Sequence, residues 1–375
     1  MSKLLKPLAI PKIPNFSSGP CTKRPGWSVN ILNKALIGRS HRSQPAKEKL
    51  KLALTDTREI LKIPDDYKIA LVPASDTGAI EMAMWSMLGP RPIDICFWDS
   101  FGEDWYKDIS TQLNLNYINS HSAPYGELPD LTQTNPDNDI IFTYNGTTSG
   151  VCVPNLDWIS NNRKGLTFND ATSAVFAMDI NWSKVDVSTF SWQKVLGSEG
   201  AHGMCILSPR AVERIKTFKP INRPIPKIFQ FIKKDKLNEK LFVGETINTP
   251  SMLCVEDYLD SLNWAKSIGG LSELISRSKD NLRVIKNWVK TTEWVDFLAK
   301  ESNTISNTSV CLVLDTSQEV VKKMCEYLEK SNIAYDIGAY RNKYVGLRIW
   351  CGATVETKDI ELLIPWIEYA YYKYN

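Results

Sequence analysis

Short apolar runs alternating with helical patterns over the first 210 residues constrain this chain more than any other feature. Lys68–Pro73, Ile93–Trp98, Asp139–Thr143, Leu166–Asn169 and Gly203–Leu207 read as strands. Between them, Ala46–Leu61 and Gly78–Leu88 keep apolar residues on one helical face. In the second, Ile80, Ala83, Met84, Met87 and Leu88 recur at i, i+3, i+4, i+7 and i+8. Strands that alternate with helices predict an α/β fold built on a mostly parallel sheet.

After Pro250 the character changes. Two long helical patterns, Cys254–Ile268 and Leu271–Lys290, precede a strand at Ser309–Asp315, a helix at Gln318–Lys330, a strand at Val345–Trp350 and a helix from Lys358 onward. The expected organisation is an N-terminal arm over residues 1–14, a large domain over 15–255 and a smaller α+β domain over 256–375. The run Lys233-Lys234-Asp235-Lys236 reads as a solvated loop.

Charge and composition exclude several classes of function. Lys+Arg number 45 against 42 Asp+Glu, a balance too even to imply nucleic acid or a membrane as partner. No apolar run approaches the length of a membrane span, and the first fourteen residues hold no uninterrupted apolar stretch of the kind a secretory signal needs. The eight cysteines are scattered, with no CxxC pair, and several sit in apolar runs. They are expected to be reduced thiols in a cytoplasmic protein without a structural metal.

The common catalytic signatures are missing. There is no phosphate-binding G-x-x-x-x-G-K-[ST], no G-x-G-x-x-G after a strand, no H-E-x-x-H and no G-x-S-x-G. Two turns remain. Pro73-Ala74-Ser75-Asp76-Thr77-Gly78 joins a strand to a helix, where amide N–H groups and hydroxyls suit a phosphate, although the same residue types make an ordinary helix cap. Phe168-Asn169-Asp170-Ala171-Thr172-Ser173 puts an acid at a strand end, again open to reading as a cap. Ser191-Trp192-Gln193-Lys194 brings a lysine 24 residues after Asp170, ahead of the glycine-rich Gly197–Gly203. Pyridoxal phosphate chemistry needs such a pair: a lysine for the aldehyde and an acid for the pyridine nitrogen.

Seven segments carry a family resemblance, in order along nearly the whole chain. They are Asn15–Pro20, Ser40-His41-Arg42, Asn145–Gly150, Asp170–Ser173, Trp192-Gln193-Lys194, Asn248-Thr249-Pro250 and Gly346-Leu347-Arg348. The chain resembles the phosphoserine aminotransferases, class V pyridoxal-phosphate enzymes of the aspartate-aminotransferase fold (fold type I). The resemblance implies Lys194 as the Schiff-base lysine and Asp170 as partner of the ring nitrogen. It places Thr147 near the ring hydroxyl and Trp105 on the ring face, and gives the cofactor phosphate to Asp76, Thr77, Gln193, Asn248 and Thr249. The last two reach in from a second subunit, which implies a homodimer with shared active sites. His41, Arg42, Arg341 and Arg348 are then the candidates for the substrate's anionic groups. Two segments depart from the family pattern. Ser75-Asp76-Thr77-Gly78-Ala79 replaces a glycine-rich turn with an arginine, and Tyr340-Arg341-Asn342 stands where many members have a His-Arg pair.

The activity so implied transfers the amino group of glutamate to 3-phosphohydroxypyruvate, a phosphorylated 2-oxo acid, giving O-phospho-L-serine and 2-oxoglutarate in serine biosynthesis. Use of a second substrate, at the phosphohydroxythreonine step of vitamin B6 synthesis, is left open. The rivals are another class V enzyme, such as a serine–glyoxylate-type aminotransferase or a cysteine desulfurase, and a non-catalytic protein on the same fold. A desulfurase needs a reactive cysteine on an exposed loop, whereas Cys311, Cys325 and Cys351 lie in patterned elements.

Overall fold

A computed structural model describes residues 5–221 and 223–375, so the first four residues of the expected arm lie outside the described residues. The central sheet has seven strands: β1 (Lys68–Pro73), β2 (Ile93–Phe97), β3 (Ile118–Ser122), β4 (Asp139–Thr143), β5 (Thr167–Asp170), β6 (Val187–Ser191) and β7 (His202–Leu207). Their spatial order is β1-β7-β6-β5-β4-β2-β3. The five strands from β3 to β6 are mutually parallel, and β7 runs against both β6 and β1.

Both faces of this sheet are buried, and alternation along each strand divides its side chains between two apolar layers. Ile69, Leu71, Phe142, Phe190, Met204 and Ile206 point into the layer covered by helices α1 (Gln44–Leu61) and α5 (Met252–Ile268). Their neighbours Ala70, Val72, Ile141, Cys205 and Leu207 face the opposite layer, under α2 (Ser75–Met87), Trp105 of α3 (Ser100–Lys107) and α4 (Pro209–Thr217). A sheet sandwiched in this way exposes only its strand ends, which is where a ligand site must form.

The C-terminal part is a three-stranded antiparallel sheet, β8 (Val295–Phe297), β9 (Ser309–Leu314) and β10 (Gly346–Trp350), packed with α6 (Leu271–Lys290), α7 (Gln318–Lys330) and α8 (Thr357–Tyr374). Its core residues Leu274, Ile285, Leu312, Leu347 and Leu363 are continuous with the α1/α5 layer of the large sheet. Helix α5 runs through residue 255 without a break. All eight cysteines are free thiols, six of them buried. Among the described residues no helix is long and apolar enough to cross a membrane.

The expected strands and long helices are present, with ends that differ by up to three residues. Strands β3, β6 and β8 and helices α3 and α4 were not anticipated. Strand β6 is the instructive omission, because its sequence Val-Ser-Thr-Phe-Ser is largely polar while every residue is buried. Thr189 pairs with Asp170 in the ladder, and Ser188 accepts from Asn169 at 3.4 Å.

Candidate active site

Three parallel strands end side by side at this site. The register pairs Thr143 of β4 with Asp170 of β5, and Asp170 with Thr189 of β6. Asp170 is the last residue of β5 and is buried. Its Oδ1 accepts the Thr172 backbone N–H at 3.0 Å, and its Oδ2 accepts the Trp105 Nε1–H at 3.0 Å. Trp105 thus reaches the site through the polar edge of its indole. Helix α3 is set by Asp99, whose carboxylate caps Gly102 N at 2.9 Å and also accepts from Thr148 N at 3.3 Å. That second bond ties the Asn145–Gly150 turn to the same strand ends.

Lys194 lies in the turn after β6, its side chain buried and its Nζ donating to the Ser18 carbonyl. The amine lies 5.8 Å from the centre of the Trp350 ring. A Cβ on Gly19 would come within 2.8 Å of Nζ, so the glycine of the Asn15–Pro20 segment leaves room for the amine. The turn itself is held firmly. Cys21 N donates to Gln193 O at 2.9 Å and Gly197 N to Lys194 O at 2.9 Å, while Trp192 stacks flat on Tyr258 of α5 at 4.3 Å. A nucleophile on so constrained a turn is pre-positioned.

Burial lowers the Lys194 amine below the ordinary lysine range. Arg348 adds to the lowering, while Cys21, Asp170 and Asp99 oppose it. Burial pushes the Cys21 thiol up to about 12, so it stays neutral beside the amine. It also pushes the Asp99 carboxyl up to about 6 against the hydrogen bonds from Gly102 and Thr148. A lysine with lowered affinity for its proton has more of the free amine that attacks a carbonyl.

The β1–α2 turn has an unusual backbone. Ala74 and Ser75 both adopt positive φ, 64° and 55°, a conformation that costs non-glycine residues on the order of 1 kcal/mol each and concentrates at functional sites. Any side chain on Gly78 would overlap the Pro73 carbonyl, and one on Gly203 would overlap that of Ser75. Glycine at these two positions lets α2 begin directly against β1 and β7, so that the N–H groups of Asp76 and Thr77 open its first turn. Thr77 is exposed there, whereas the Asp76 carboxyl turns inward toward Asp170. Thr147 donates its hydroxyl to Ser173 Oγ at 2.8 Å, and its carbonyl accepts from Ser309 of β9 at 2.6 Å, which joins the two sheets at the site.

The candidate substrate cations form two groups. Arg348 of β10 lies near Lys194, with its Nε buried and without a partner. Its guanidinium is 5.3 Å from the Tyr340 ring, and that of Arg341 is 5.0 Å from the same ring, which also approaches Phe101 at 5.9 Å. Tyr340, at the position of the departure from the family pattern, is therefore a cation–π platform for both arginines. His41 and Arg42 lie elsewhere. They line a cleft of about 750 Å³ with Lys47, Lys240, Glu245 and Thr246, and neither Lys194 nor Arg348 borders it. Asn248 and Thr249 follow on from this cleft and are exposed, and Thr246 Oγ1 donates to the Asn248 carbonyl at 2.6 Å.

Sequence reasoning missed Asp99, Tyr340 as a platform, the Ser18 and Trp350 contacts of Lys194, and the inward turn of Asp76. An acid one residue before a helix, at the end of a strand, is a readable cap signal for Asp99. The others depend on tertiary contacts.

The architecture is that of the fold type I pyridoxal-phosphate-dependent transferases. A phosphoserine aminotransferase of Cytophaga hutchinsonii superposes with a TM-score of 0.82 at 21% identity, over 94% of this chain and 97% of that one. A phosphoserine aminotransferase of Trichomonas vaginalis, solved with bound PLP, gives 0.77 at 13% identity over 95% and 100%. No family model matches the sequence. The phosphoserine aminotransferases of Methanosarcina mazei and Methanosarcina barkeri are each 55% identical over 98% of this chain and 99% of their own length. The chain belongs to the phosphoserine aminotransferase family.

The site can be tested for its fit to pyridoxal phosphate. Thr172 Oγ1, Thr189 Oγ1, Ser191 Oγ, Gln193 Oε1 and Arg348 Nε are all buried without a hydrogen-bond partner. Buried polar atoms are rarely left unpaired, and such a concentration of them around Lys194 and Asp170 suits a polar, anionic ligand. The donor set matches the group: an amine for its aldehyde, a carboxylate for its ring nitrogen, and hydroxyl and amide donors for its phosphate.

Proposed function

We propose that this chain is a glutamate-dependent transaminase that converts 3-phosphohydroxypyruvate to O-phospho-L-serine, with pyridoxal phosphate held on Lys194. The observation that carries the reading is the buried Lys194 and Asp170 pair at the ends of adjacent parallel strands, beside Arg348, whose Nε is buried without a partner. The 55% identity to two phosphoserine aminotransferases over nearly full length selects this transaminase over the serine–glyoxylate type.

The cofactor supplies an aldehyde that takes up the substrate amino group and a ring that accepts the electron pair from the substrate Cα. The other steps belong to the chain. Arg348 holds the substrate α-carboxylate, which places the Cα–H bond near Lys194. The lowered basicity of Lys194 leaves its amine free to take the Cα proton and return it on the other side of the transfer. Asp170 holds the proton on the ring nitrogen. Trp105, whose indole N–H holds Asp170, would border the ring, Thr147 would contact its hydroxyl region, and Gln193, Thr77 and the Asp76 amide would hold the phosphate. The buried walls exclude water that would compete for these hydrogen bonds.

The working unit is a homodimer. His41, Arg42, Asn248 and Thr249 gather on a surface away from Lys194, and a second copy carries them to a neighbour's site. They then complete the binding of cofactor and substrate phosphates, with Arg341 beside Arg348. Residues 15–255 serve as the cofactor-binding unit, residues 256–375 as the smaller unit that carries Arg341 and Arg348, and the enzyme works in the cytoplasm.

Initial rates with glutamate and a panel of acceptors test this function. 3-Phosphohydroxypyruvate should be preferred over hydroxypyruvate and glyoxylate, and a preference for the unphosphorylated acids would favour the serine–glyoxylate type. The panel also decides whether the oxo acid related to phosphohydroxythreonine is accepted. In the Arg42→Ala variant, kcat/KM for 3-phosphohydroxypyruvate should fall by roughly ten- to a hundred-fold, the effect of losing one charge-assisted contact. The value for hydroxypyruvate should change far less. Equal losses on both would assign Arg42 to the shared carboxylate or to the fold.

A further inference from the structure

His202 opens β7 and is buried, 4% exposed. Alternation along the strand turns it to the same face as Met204 and Ile206, toward α5. There its Nε2 accepts the Ser251 backbone N–H at 3.0 Å. The ring also meets Trp192 edge-on, with centres 5.1 Å apart, and Trp192 in turn lies flat on Tyr258 of α5. On the strand side His202 pairs with Pro73 of β1, and the carbonyl of Ala201 before it accepts the Ser75 N–H at 3.3 Å. One buried side chain thus stands between the β1–α2 turn, the Trp192-Gln193-Lys194 turn and the start of α5.

The bond to Ser251 anchors the chain just ahead of it to the sheet. Asn248 and Thr249 are exposed, and among the described residues their hydrogen bonds stay within the segment. Thr246 Oγ1 donates to the Asn248 carbonyl at 2.6 Å, and Asn248 Nδ2 to the Thr249 carbonyl at 3.4 Å. Pro250 has no N–H to offer. The Ser251 N–H is therefore the first backbone donor after the pair, and His202 is its acceptor. The Ser251 hydroxyl is engaged elsewhere, capping α5 at Cys254 N at 3.3 Å. A backbone N–H only donates, so Nε2 is the unprotonated ring nitrogen, and an apolar side chain could not take its place.

We propose that His202 is a positioning residue that acts across the subunit boundary: its bond to Ser251 fixes the direction in which Asn248 and Thr249 leave the chain, and so the grip of a second copy's site on the cofactor phosphate. The inference rests on the placement of pyridoxal phosphate and on the exchange of Asn248 and Thr249 between subunits given above. Two exposed residues hold a phosphate well only when the backbone that carries them is already fixed, because ordering a loose segment on binding costs entropy that weakens the contact. His202 supplies that order from the strand ends that also carry the chain's own cofactor turns. The two sites of a dimer then share one rigid frame.

The test titrates pyridoxal phosphate into the cofactor-free full chain and reads binding from the visible absorption of the Lys194-bound form. His202→Gln offers an amide oxygen near the place of Nε2, whereas His202→Leu fills similar space with no acceptor. The Kd should rise about ten-fold in His202→Leu, the scale of one internal hydrogen bond, and stay near wild type in His202→Gln. Ser251→Pro, at a φ of −78° that proline accepts, removes the same N–H without altering the sheet. It should match His202→Leu, with Ser251→Ala as the control for the lost cap hydroxyl. The decisive arm is a mixed dimer, purified by two tags, of one His202→Leu and one Lys194→Met subunit. Only the first can bind cofactor on Lys194, and its site receives Asn248 and Thr249 from the chain whose His202 is intact. Its Kd should return to the wild-type value. A mixed dimer as weak as His202→Leu alone would confine the effect to the residue's own site and overturn the proposal. So would equal Kd values in wild type, His202→Leu and Ser251→Pro. A wild-type chain without the visible band would instead overturn the transaminase reading on which the proposal rests.

Discussion

Lys194→Met is expected to abolish transamination while raising the thermal stability of the cofactor-free chain. The activity loss follows from the amine's two tasks, anchoring the cofactor and moving the Cα proton. Proton transfer by a positioned group alone is worth roughly 10²–10⁴-fold, and the loss of the covalent anchor adds to it. The stability gain follows from burial. Lys194 lies in a desolvated pocket that lowers its proton affinity, so its ionised form weakens the folded state. For a lysine whose folded-state value is lowered, that penalty is fully present below the folded value and disappears as pH rises to the unfolded value of 10.5. Methionine keeps most of the volume and carries no charge. The Tm of the variant should exceed that of wild type at pH 7, and the gap should shrink toward pH 10. A variant less stable than wild type at pH 7 would show that the contact with the Ser18 carbonyl outweighs desolvation.

Asp170→Asn should be the next most damaging change, on the order of 10²–10³-fold in kcat, the scale for removing one fixed group aimed at a developing charge. Asparagine fits the same space, and its single carbonyl oxygen can still accept one of the two N–H groups, from Trp105 or Thr172, that now orient Asp170. What it lacks is the negative charge that keeps the ring nitrogen protonated. The variant should bind the cofactor, seen as its visible absorption, and fail in turnover. Wild-type turnover would exclude Asp170 as the ring-nitrogen partner.

Much of this site was legible in the sequence because its parts are local. Asp170 closes an apolar strand and Lys194 follows it by 24 residues in a matched motif, so a strand reading for the one and motif order for the other find both. The expected strands were legible for the same reason: a central parallel strand buried on both faces needs an apolar run. Strand β6 fails that rule because Ser188, Thr189 and Ser191 are buried polar residues, with Thr189 beside Asp170 in the ladder and Ser188 accepting from Asn169. Asp76 was placed at the phosphate from its position in the turn, but the direction of its side chain depends on the distance between α2 and β5. No local pattern contains that distance. Tyr340 likewise reads as a departure from the family pattern, yet in the structure its ring gathers Arg341 and Arg348. The division of the substrate cations into two groups, with His41 and Arg42 on a separate cleft, is a three-dimensional fact that the order of the motifs does not carry.

The central claim is that Lys194 carries pyridoxal phosphate. Reducing the cofactor-loaded enzyme with borohydride and mapping its peptides by mass spectrometry tests it directly. The predicted result is a single modified peptide that contains Trp192-Gln193-Lys194, with the added mass of reduced pyridoxal phosphate on Lys194. The label on any other lysine, or no label on a protein that transaminates, would contradict it.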